Sequence, residues 1–154
     1  MTSTRVTEEL TRCHANYTLL CDNTSGIVSG MEIAEGLKAD PNRVFKTLIM
    51  CGKSGSFYVF MIPVTKKLSS RLSKEAAGER LRMCTDTELS EHAGYVHGGC
   101  SPVALKEEMK VFFDSSASAF EKIIFGAGEN GYHVELNLRE LSKAIEWRLV
   151  KLCE

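Results

Sequence analysis

Residues 44–63 read VFKTLIMCGKSGSFYVFMIP, and this segment decides the fold. Two runs rich in β-branched and aromatic residues, Val44 to Cys51 and Phe57 to Pro63, flank the polar connection Gly52 to Ser56. This pattern predicts two antiparallel strands joined as a hairpin. Both faces of both strands are largely apolar, which is typical of strands at the centre of a sheet or barrel. We therefore expect the remaining elements to pack around this hairpin.

Helix and strand patterns alternate irregularly on both sides of the hairpin. A capping pattern, in which a polar residue is followed three positions later by Glu, predicts helix starts at Ser29, Thr85 and Asn137. Apolar spacing predicts helices over about 4–15, 29–38, 68–77, 85–92 and 137–145. Further strands are predicted at 17–21, 80–84, 110–114, 122–126, 132–136 and 148–152, with a turn at 22–26. The pattern favours a mixed α/β fold, and a chain of 154 residues without repeat or linker predicts one domain over residues 1–154.

Cysteine usage and hydropathy limit the class of protein. The six cysteines are scattered without a Cys-x-x-Cys pair, so reduced thiols are expected instead of a disulfide framework. The start of the chain is polar, and the longest apolar run, Phe57 to Val64, is too short to span a membrane. We expect a soluble, cytoplasmic protein with no membrane partner.

The charge distribution is uneven along the chain. Residues 43–82 contain nine basic and two acidic side chains, a net charge of +7 (9 − 2), so the rest of the chain must carry −8 to give the total of −1. Such a basic segment suits a polyanion such as RNA. The alternative is a solvated basic face that has no partner.

Lys46 is the first candidate functional residue. On a strand it shares a face with Val44, Leu48 and Met50, and the opposite face is also mostly apolar. A lysine in such surroundings forms an ion pair, reaches water past the strand end or serves a binding site. Both the site and the simple solvated lysine remain open on this pattern.

The second candidate is the stretch Gly94-Tyr95-Val96-His97-Gly98-Gly99-Cys100-Ser101-Pro102. Glycine-rich loops allow backbone N–H groups to converge on an anionic or carbonyl oxygen, as in an oxyanion hole. A tight surface turn would also explain the composition. Residues 125–131 form another glycine-rich connection, for which an ordinary hairpin is the alternative.

Three interpretations of Cys100 are open. As a nucleophile it would need a base, and His97 is near in sequence, but no local signature of a cysteine protease is present. As a zinc ligand it would act with His92 and His97, but a fourth ligand and the usual paired spacing are missing. The interpretation as a small loop residue is favoured, and no metal or other cofactor is expected.

Phe45-Lys46-Thr47-Leu48, the stretch Gly94 to Pro102, and Ala127 to Leu136 together resemble the YbaK family. Its members are free-standing aminoacyl-tRNA deacylases related to the editing domain of bacterial prolyl-tRNA synthetases. The resemblance implies a mixed α/β fold with a highly curved central sheet or barrel flanked by helices. It also implies hydrolysis of mischarged Cys-tRNA(Pro), with tRNA and prolyl-tRNA synthetase as partners. A deacylase for Ala-tRNA(Pro) and a non-catalytic module that binds tRNA or a synthetase are the alternatives.

The resemblance also implies roles for individual residues. Lys46 corresponds to the family lysine that engages the 3′-terminal adenosine or its phosphate near the scissile ester, and it is the expected catalytic residue. No protein nucleophile is expected, because the thiol of the substrate would displace the ester and give a thiolactone. His97 and His133 receive no role. The substrate-binding residues implied are Thr47, Gly98, Gly99, Cys100, Ser101, Pro102, Ala127 and Gly128.

Overall fold

The computed structural model describes residues 3–22 and 29–154. Its helices are α1 (Arg5–Arg12), α2 (Gly30–Leu37), α3 (Ser70–Ala77), α4 (Asp86–Glu88) and α5 (Leu138–Leu141). Its strands are β1 (Thr18–Cys21), β2 (Phe45–Gly52), β3 (Phe57–Pro63), β4 (Leu81–Met83), β5 (Lys110–Asp114), β6 (Ile123–Gly126), β7 (Tyr132–Leu136) and β8 (Arg148–Val150). Most of the turn predicted at 22–26 lies outside the described residues. No helix in this part of the chain has the length and apolar character needed to cross a membrane.

The predicted hairpin is confirmed as the centre of a mixed sheet. Strands β2 and β3 pair antiparallel, with Lys46 opposite Ile62, in a five-stranded sheet of order β4-β2-β3-β5-β8. Strand β5 joins β3 in parallel and β8 joins β5 in parallel. The remaining three strands form an antiparallel sheet of order β1-β7-β6. The mixed α/β fold class is therefore confirmed.

The expectation was a curved sheet or a barrel, and no closed barrel forms, because neither sheet closes on itself within the described ranges. The reason lies in the outer edge of β2, which is shared between two neighbours. Its last residues pair with β4, whereas Val44, just before β2, forms an isolated parallel bridge with Ile124 of β6. This bridge aligns β6 with the beginning of β2 and leaves the two sheets joined but open.

Two apolar layers cover the faces of the hairpin. Phe45 and Ile49 of β2 belong to the larger core, which also contains Phe113 and Phe125. On the opposite face, Phe60 belongs to a second cluster that is covered by α3. The apolar character of both strand faces follows from this double burial.

The capping predictions are confirmed, but one helix is shorter than its apolar spacing indicates. Ser29 Oγ accepts the Glu32 amide at 3.2 Å, and Asn137 caps α5 by accepting the Glu140 amide at 2.8 Å. Helix α5 nevertheless ends at Leu141 and does not continue to residue 145. Beyond it, the amides of Lys143 and Ala144 donate to the carbonyls of Glu140 and Leu141, bonds that span three residues and tighten the chain out of the α-helix.

Asp114 fastens the end of β5 to the chain after β8. Its Oδ1 accepts the Leu152 amide at 2.9 Å, and its Oδ2 accepts the amide and hydroxyl of Ser116 at 3.2 and 2.5 Å. Burial alone would raise the pKa of Asp114, but these hydrogen bonds outweigh it and the pKa is lowered. The buried carboxylate therefore stabilises the fold only in its ionised form.

Asp114→Ala is expected to lower the free energy of unfolding by about 2–3 kcal/mol at neutral pH, because it leaves buried donors unpaired. A lowered pKa in the folded state means that this stabilisation is complete above the unfolded-state pKa of about 4 and is lost as the pH falls below it. Urea unfolding at neutral pH and at pH 3 measures both effects. Equal losses at the two pH values would contradict the assignment.

Candidate active site

Lys46 lies near the beginning of β2, where this strand meets β6. Because Val44 and Ile124 form a parallel bridge, Lys46 and Gly126 are each two residues beyond it and point to the same face as the bridge residues. Lys46 is half-buried, and it forms no hydrogen bond or ion pair with any described residue. Its ammonium group is therefore available for a ligand on this face.

The glycine-rich loop, residues 94–102, approaches the same position from the other side. A Cβ atom built on Gly126 would lie 3.0 Å from the Cys100 carbonyl oxygen. This distance is tighter than ordinary van der Waals contact, so the absence of a side chain at Gly126 allows the loop to approach the strand closely. Lys46 and the centre of the glycine-rich loop are thereby brought to neighbouring positions.

The second glycine-rich connection, residues 125–131, also packs against this loop. A Cβ atom on Gly128, which has φ of +88°, would lie 3.1 Å from the ring of Tyr95. One on Gly99 would lie 3.9 Å from Asn130 Oδ1. The two segments that the sequence singled out independently therefore form one surface.

Arg5 of α1 fixes both ends of the glycine-rich loop. Its guanidinium donates to the Gly94 carbonyl at 2.7 Å and to the carbonyls of Ala93 and Ala104, and it lies 4.3 Å from the centre of the Tyr95 ring. The Tyr95 hydroxyl donates to the Val103 carbonyl, and burial raises the pKa of Tyr95 to about 12. The loop is thus held at its beginning and its end, and its middle is free to contact a ligand.

The middle of the loop carries backbone donors without acceptors. The Gly99 amide donates to the Val96 carbonyl at 3.0 Å, but among the described residues the amides of Cys100 and Ser101 donate to no protein acceptor. Ser101 is fully buried, Pro102 is buried and Cys100 is partly buried. Buried amides are nearly always paired, so these two are candidates for holding an oxygen atom of a ligand.

Thr47 lies on the face of β2 opposite to Lys46. Its neighbours on that face, Phe45 and Ile49, belong to the larger core, which also contains Tyr95 and against which Cys100 packs. The Thr47 hydroxyl is buried and has no hydrogen-bond partner among the described residues. An orphaned buried hydroxyl costs free energy, so it is a further candidate contact for a bound group.

Cys100 does not have the properties of a nucleophile. Burial raises the pKa of its thiol to about 11, and the thiol donates to the Val96 carbonyl at 3.5 Å. The reactive form of a cysteine is the thiolate, which is scarce at neutral pH when the pKa is so high. The third interpretation of Cys100, a small residue of the loop, agrees best with this environment.

We predict that Cys100→Ala retains most of any hydrolytic activity of the chain, within about threefold of the wild type. Alkylation by iodoacetamide at neutral pH should likewise be slow at Cys100 compared with the exposed Cys21, as followed by peptide mass spectrometry. Complete inactivation by the substitution, together with fast alkylation, would restore the nucleophile interpretation.

The histidines considered as metal ligands have other surroundings. His92 Nδ1 lies 2.7 Å from Glu107 Oε2, and its ring stacks on Phe57 at 4.6 Å between centres. Within residues 3–22 and 29–154, no three His, Cys, Asp or Glu side chains form a group that could hold a metal ion. His97 is exposed in the loop.

The basic segment 43–82 keeps much of its charge unpaired. Arg43, Arg71 and Arg82 form ion pairs with carboxylates. Lys66 and Lys67 line a groove at the beginning of α3, and the charges of Lys66 and Lys46 both act on the thiol of Cys153, which places them on the same side of the protein. Among the described residues, the basic side chains of the segment without an ion pair are Lys46, Lys53, Lys66, Lys67, Lys74 and Arg80.

Sequence reasoning missed three residues that shape this site. Arg5 donates a hydrogen bond to Gly94, which is 89 residues away in the chain, and no local sequence pattern predicts such a contact. Asp22 and His133 meet across 111 residues, with His133 Nε2 at 2.8 Å from Asp22 Oδ2. A signal existed only for His133, a histidine between the apolar residues of a predicted strand and next to a glycine-rich connection.

Comparison with known proteins agrees with this architecture. The sequence model of the aminoacyl-tRNA editing domain family matches residues 24–144 of this chain. The Enterococcus faecalis protein named "Putative Cys-tRNA(Pro)/Cys-tRNA(Cys) deacylase EbsC" is 31% identical over 110 residues, which are 71% of this chain and 67% of that protein. The proline–tRNA ligase of Kosmotoga olearia is 29% identical over 111 residues, and this match covers 71% of the chain but only 19% of the ligase.

A solved structure has the same fold as this chain. The crystal structure of a hypothetical protein that is 28% identical superposes with a TM-score of 0.86, covering 97% of this chain and 99% of the other. The matched residues contain β2 with Lys46, the glycine-rich loop and the β6–β7 connection. The chain belongs to the aminoacyl-tRNA editing domain family, the YbaK family of aminoacyl-tRNA deacylases.

Proposed function

We propose that this protein is a trans-editing deacylase that cleaves the 3′ ester of mischarged Cys-tRNA(Pro), with the thiol of the substrate as the attacking group. Membership of the editing family supports the reaction class, and the name of the 31% identical relative supports cysteine as the amino acid. The observation that carries the proposal is the pair of unpaired amides at Cys100 and Ser101, in a loop whose own thiol stays protonated.

The proposed reaction needs positioning more than a protein nucleophile. The sulfur of the substrate attacks the carbonyl carbon of its own ester after losing its proton, and the tetrahedral oxyanion accepts hydrogen bonds from the loop amides. The bond to the 3′ oxygen then breaks, this oxygen takes up a proton, and a thiolactone leaves. Orientation of an intramolecular nucleophile can lower the activation barrier by about 7–11 kcal/mol, so a rigid pocket that positions the substrate is sufficient.

Lys46 and the glycine-rich loop have separate roles in this proposal. The ammonium group engages the 3′-terminal adenosine or its phosphate and places the ester against the loop. Gly98, Gly99, Ser101 and Pro102 surround the aminoacyl group, and Ala127, Gly128 and the backbone of Thr47 complete the pocket, since the Thr47 side chain lies on the other face of β2. Burial of Ser101, Pro102 and Ala127 supports a rigid wall.

Transfer RNA is the proposed macromolecular partner. Lys66 and Lys67 on the side of Lys46 are suited to neutralise backbone phosphates of the acceptor stem. Prolyl-tRNA synthetase, which would release the mischarged tRNA, is the proposed second partner. The match to a fifth of a proline–tRNA ligase supports this pairing of activities.

The test is a deacylation assay with Cys-, Ser- and Ala-tRNA(Pro) and with correctly charged Pro-tRNA(Pro). Serine replaces the thiol by a hydroxyl of similar size, so we expect Cys-tRNA(Pro) to be cleaved at least about 100-fold faster than Ser-tRNA(Pro). Comparable rates on both would exclude the thiol mechanism.

Two other results would replace the proposal. Preferred cleavage of Ala-tRNA(Pro), which has no nucleophile of its own, would indicate an activated water and a different amino acid. Tight binding of tRNA without turnover of any charged form would indicate a non-catalytic binding module.

A further inference from the structure

A buried pair of ionisable side chains lies beside the candidate site and has no part in the mechanism above. His133 on β7 is 7% exposed, and Asp22, directly after β1, is 3% exposed. Their side chains meet at 2.8 Å between Nε2 and Oδ2. A His–carboxylate pair so thoroughly buried is expensive to desolvate, which calls for a structural or chemical reason.

The sheet register places this pair next to the glycine-rich loop. His133 is the direct antiparallel partner of Gly126, so the two residues point to the same face, about 4.5–5.5 Å apart between Cα atoms. Gly126 is the residue against which the Cys100 carbonyl packs, and Lys46 shares that face on the neighbouring strand. His133 therefore lies one strand away from the contact that defines the site.

The backbone also holds the pair in place. The Asp22 amide donates to the Gly131 carbonyl at 3.0 Å, in the same connection that packs on the loop. On the other side, a Cβ atom on Gly36 of α2 would lie 2.8 Å from the Asp22 carbonyl oxygen, so α2 fits closely over this residue. The backbone of Asp22 is thus fixed by two elements, which places its carboxylate where it can orient the imidazole.

The hydrogen bond determines which ring nitrogen of His133 carries the proton. A carboxylate only accepts, so Nε2 must donate, and in the neutral ring Nδ1 is then the acceptor. Among the described residues, Nδ1 makes no hydrogen bond. This is the arrangement of a general base oriented by a carboxylate.

Resting on the proposed function, we infer that His133, oriented by Asp22, is the general base that takes the thiol proton of the substrate. The proton moves from sulfur to Nδ1 as the S–C bond forms and gives the tetrahedral oxyanion. When this intermediate collapses, the bond to the 3′ oxygen breaks and the imidazolium returns the proton to that oxygen. No external reactant is needed. The other titratable groups on the elements around His133 are Cys21 on β1, Glu32 and Glu35 on α2, Lys46 and Cys51 on β2, Glu129 before β7, and Tyr132 and Glu135 on β7, of which Glu135 is paired with Arg43.

The test compares wild-type protein with His133→Gln, whose amide nitrogen can still donate to Asp22, and with His14→Gln as a control at an exposed histidine. We expect His133→Gln to lower kcat for Cys-tRNA(Pro) by at least about 100-fold and to abolish the acidic limb of the pH–rate profile. His14→Gln should change neither. Nitrogen-15 NMR of the wild type should show the Nε2–H tautomer for His133, and Asp22→Asn should disturb it.

The outcomes separate the base from a merely structural pair. A purely structural role would lower the melting temperature of His133→Gln but leave its kcat and pH profile unchanged, and this result would overturn the inference while the deacylase stands. An Nδ1–H tautomer in the wild type would overturn it as well. A wild type inactive on every charged tRNA would overturn the proposed function and the role of His133 together.

Discussion

Lys46→Ala is expected to reduce kcat/KM for deacylation of Cys-tRNA(Pro) by about 10²- to 10³-fold, the scale on which an oriented charge acts in a transition state. The residue is half-buried, shares the face of Gly126 and has no partner in the described part of the chain, so its removal creates no unpaired carboxylate. The fold should therefore survive the substitution, as measured by circular dichroism and thermal unfolding.

The loss should appear in kcat and not only in KM. If Lys46 only attracted tRNA, a higher substrate concentration would restore the rate of Lys46→Ala. If Lys46 places the ester against the loop, saturating substrate would not restore it. Lys46→Arg keeps the charge but changes its shape, so we expect partial activity. Lys53→Ala, at the turn end of the same hairpin, is the matched control and should be close to wild type.

The opposite pattern would remove Lys46 from the site. If Lys46→Ala kept full kcat while Cys100→Ala lost it, the positioning role would be wrong and a protein thiol would be the nucleophile. Single-turnover kinetics with saturating enzyme distinguish these cases, because they report the chemical step without product release.

The central hairpin was predictable because its signal is local. Alternation and β-branched content within residues 44–63 predict both strands, and the burial of both faces follows from their apolar character. The helix starts at Ser29 and Thr85 were predictable for the same reason, since each capping box involves residues three apart. Such patterns do not depend on which distant strand lies alongside.

The open sheet and the π-helical turn were not predictable in this way. Whether β2 closes a barrel depends on how its outer edge is divided between β4 and β6, which are distant in sequence. The helix predicted through residue 92 widens into a π-helical turn, Leu89–Ala93, whose end is the Gly94 amide bonded to the Leu89 carbonyl. That bond spans five residues, and no apolar spacing distinguishes it from an α-helix.

Only part of the candidate site could be predicted from the sequence, for a related reason. The sequence indicated Lys46 and the two glycine-rich segments, because lysine in an apolar strand and clustered glycines are unusual in themselves. It gave no reason to join Arg5 to Ala104 or Asp22 to His133, because each contact is made by an ordinary residue type across a long separation. Those residues are identified by the contacts that they make in the folded structure, because their residue types are not unusual in the sequence.

Gly126→Val is expected to lower kcat by about 100-fold without unfolding the protein, because displacement of a catalytic group by about 1 Å costs roughly that much. The added Cβ would lie 3.0 Å from the Cys100 carbonyl oxygen, and the two methyl groups of valine would extend farther, so the loop must move away from the strand. Valine suits a β-strand, which offsets part of the strain. Gly126→Ala should give a smaller loss of the same kind, about tenfold.

The matched control is Gly78→Ala, at the end of α3, where φ is +79° and a Cβ atom would meet nothing within 4 Å. It should lower the free energy of unfolding by about 1 kcal/mol, because alanine is strained at positive φ, yet leave deacylation unchanged. If both variants lost activity in proportion to stability, the loss at Gly126 would reflect unfolding. A loss of activity in Gly126→Val but not in Gly78→Ala, with Lys46 intact, would show that activity depends on the close packing of the Cys100 carbonyl against β6. Full activity in Gly126→Val would mean that the reacting ester binds elsewhere.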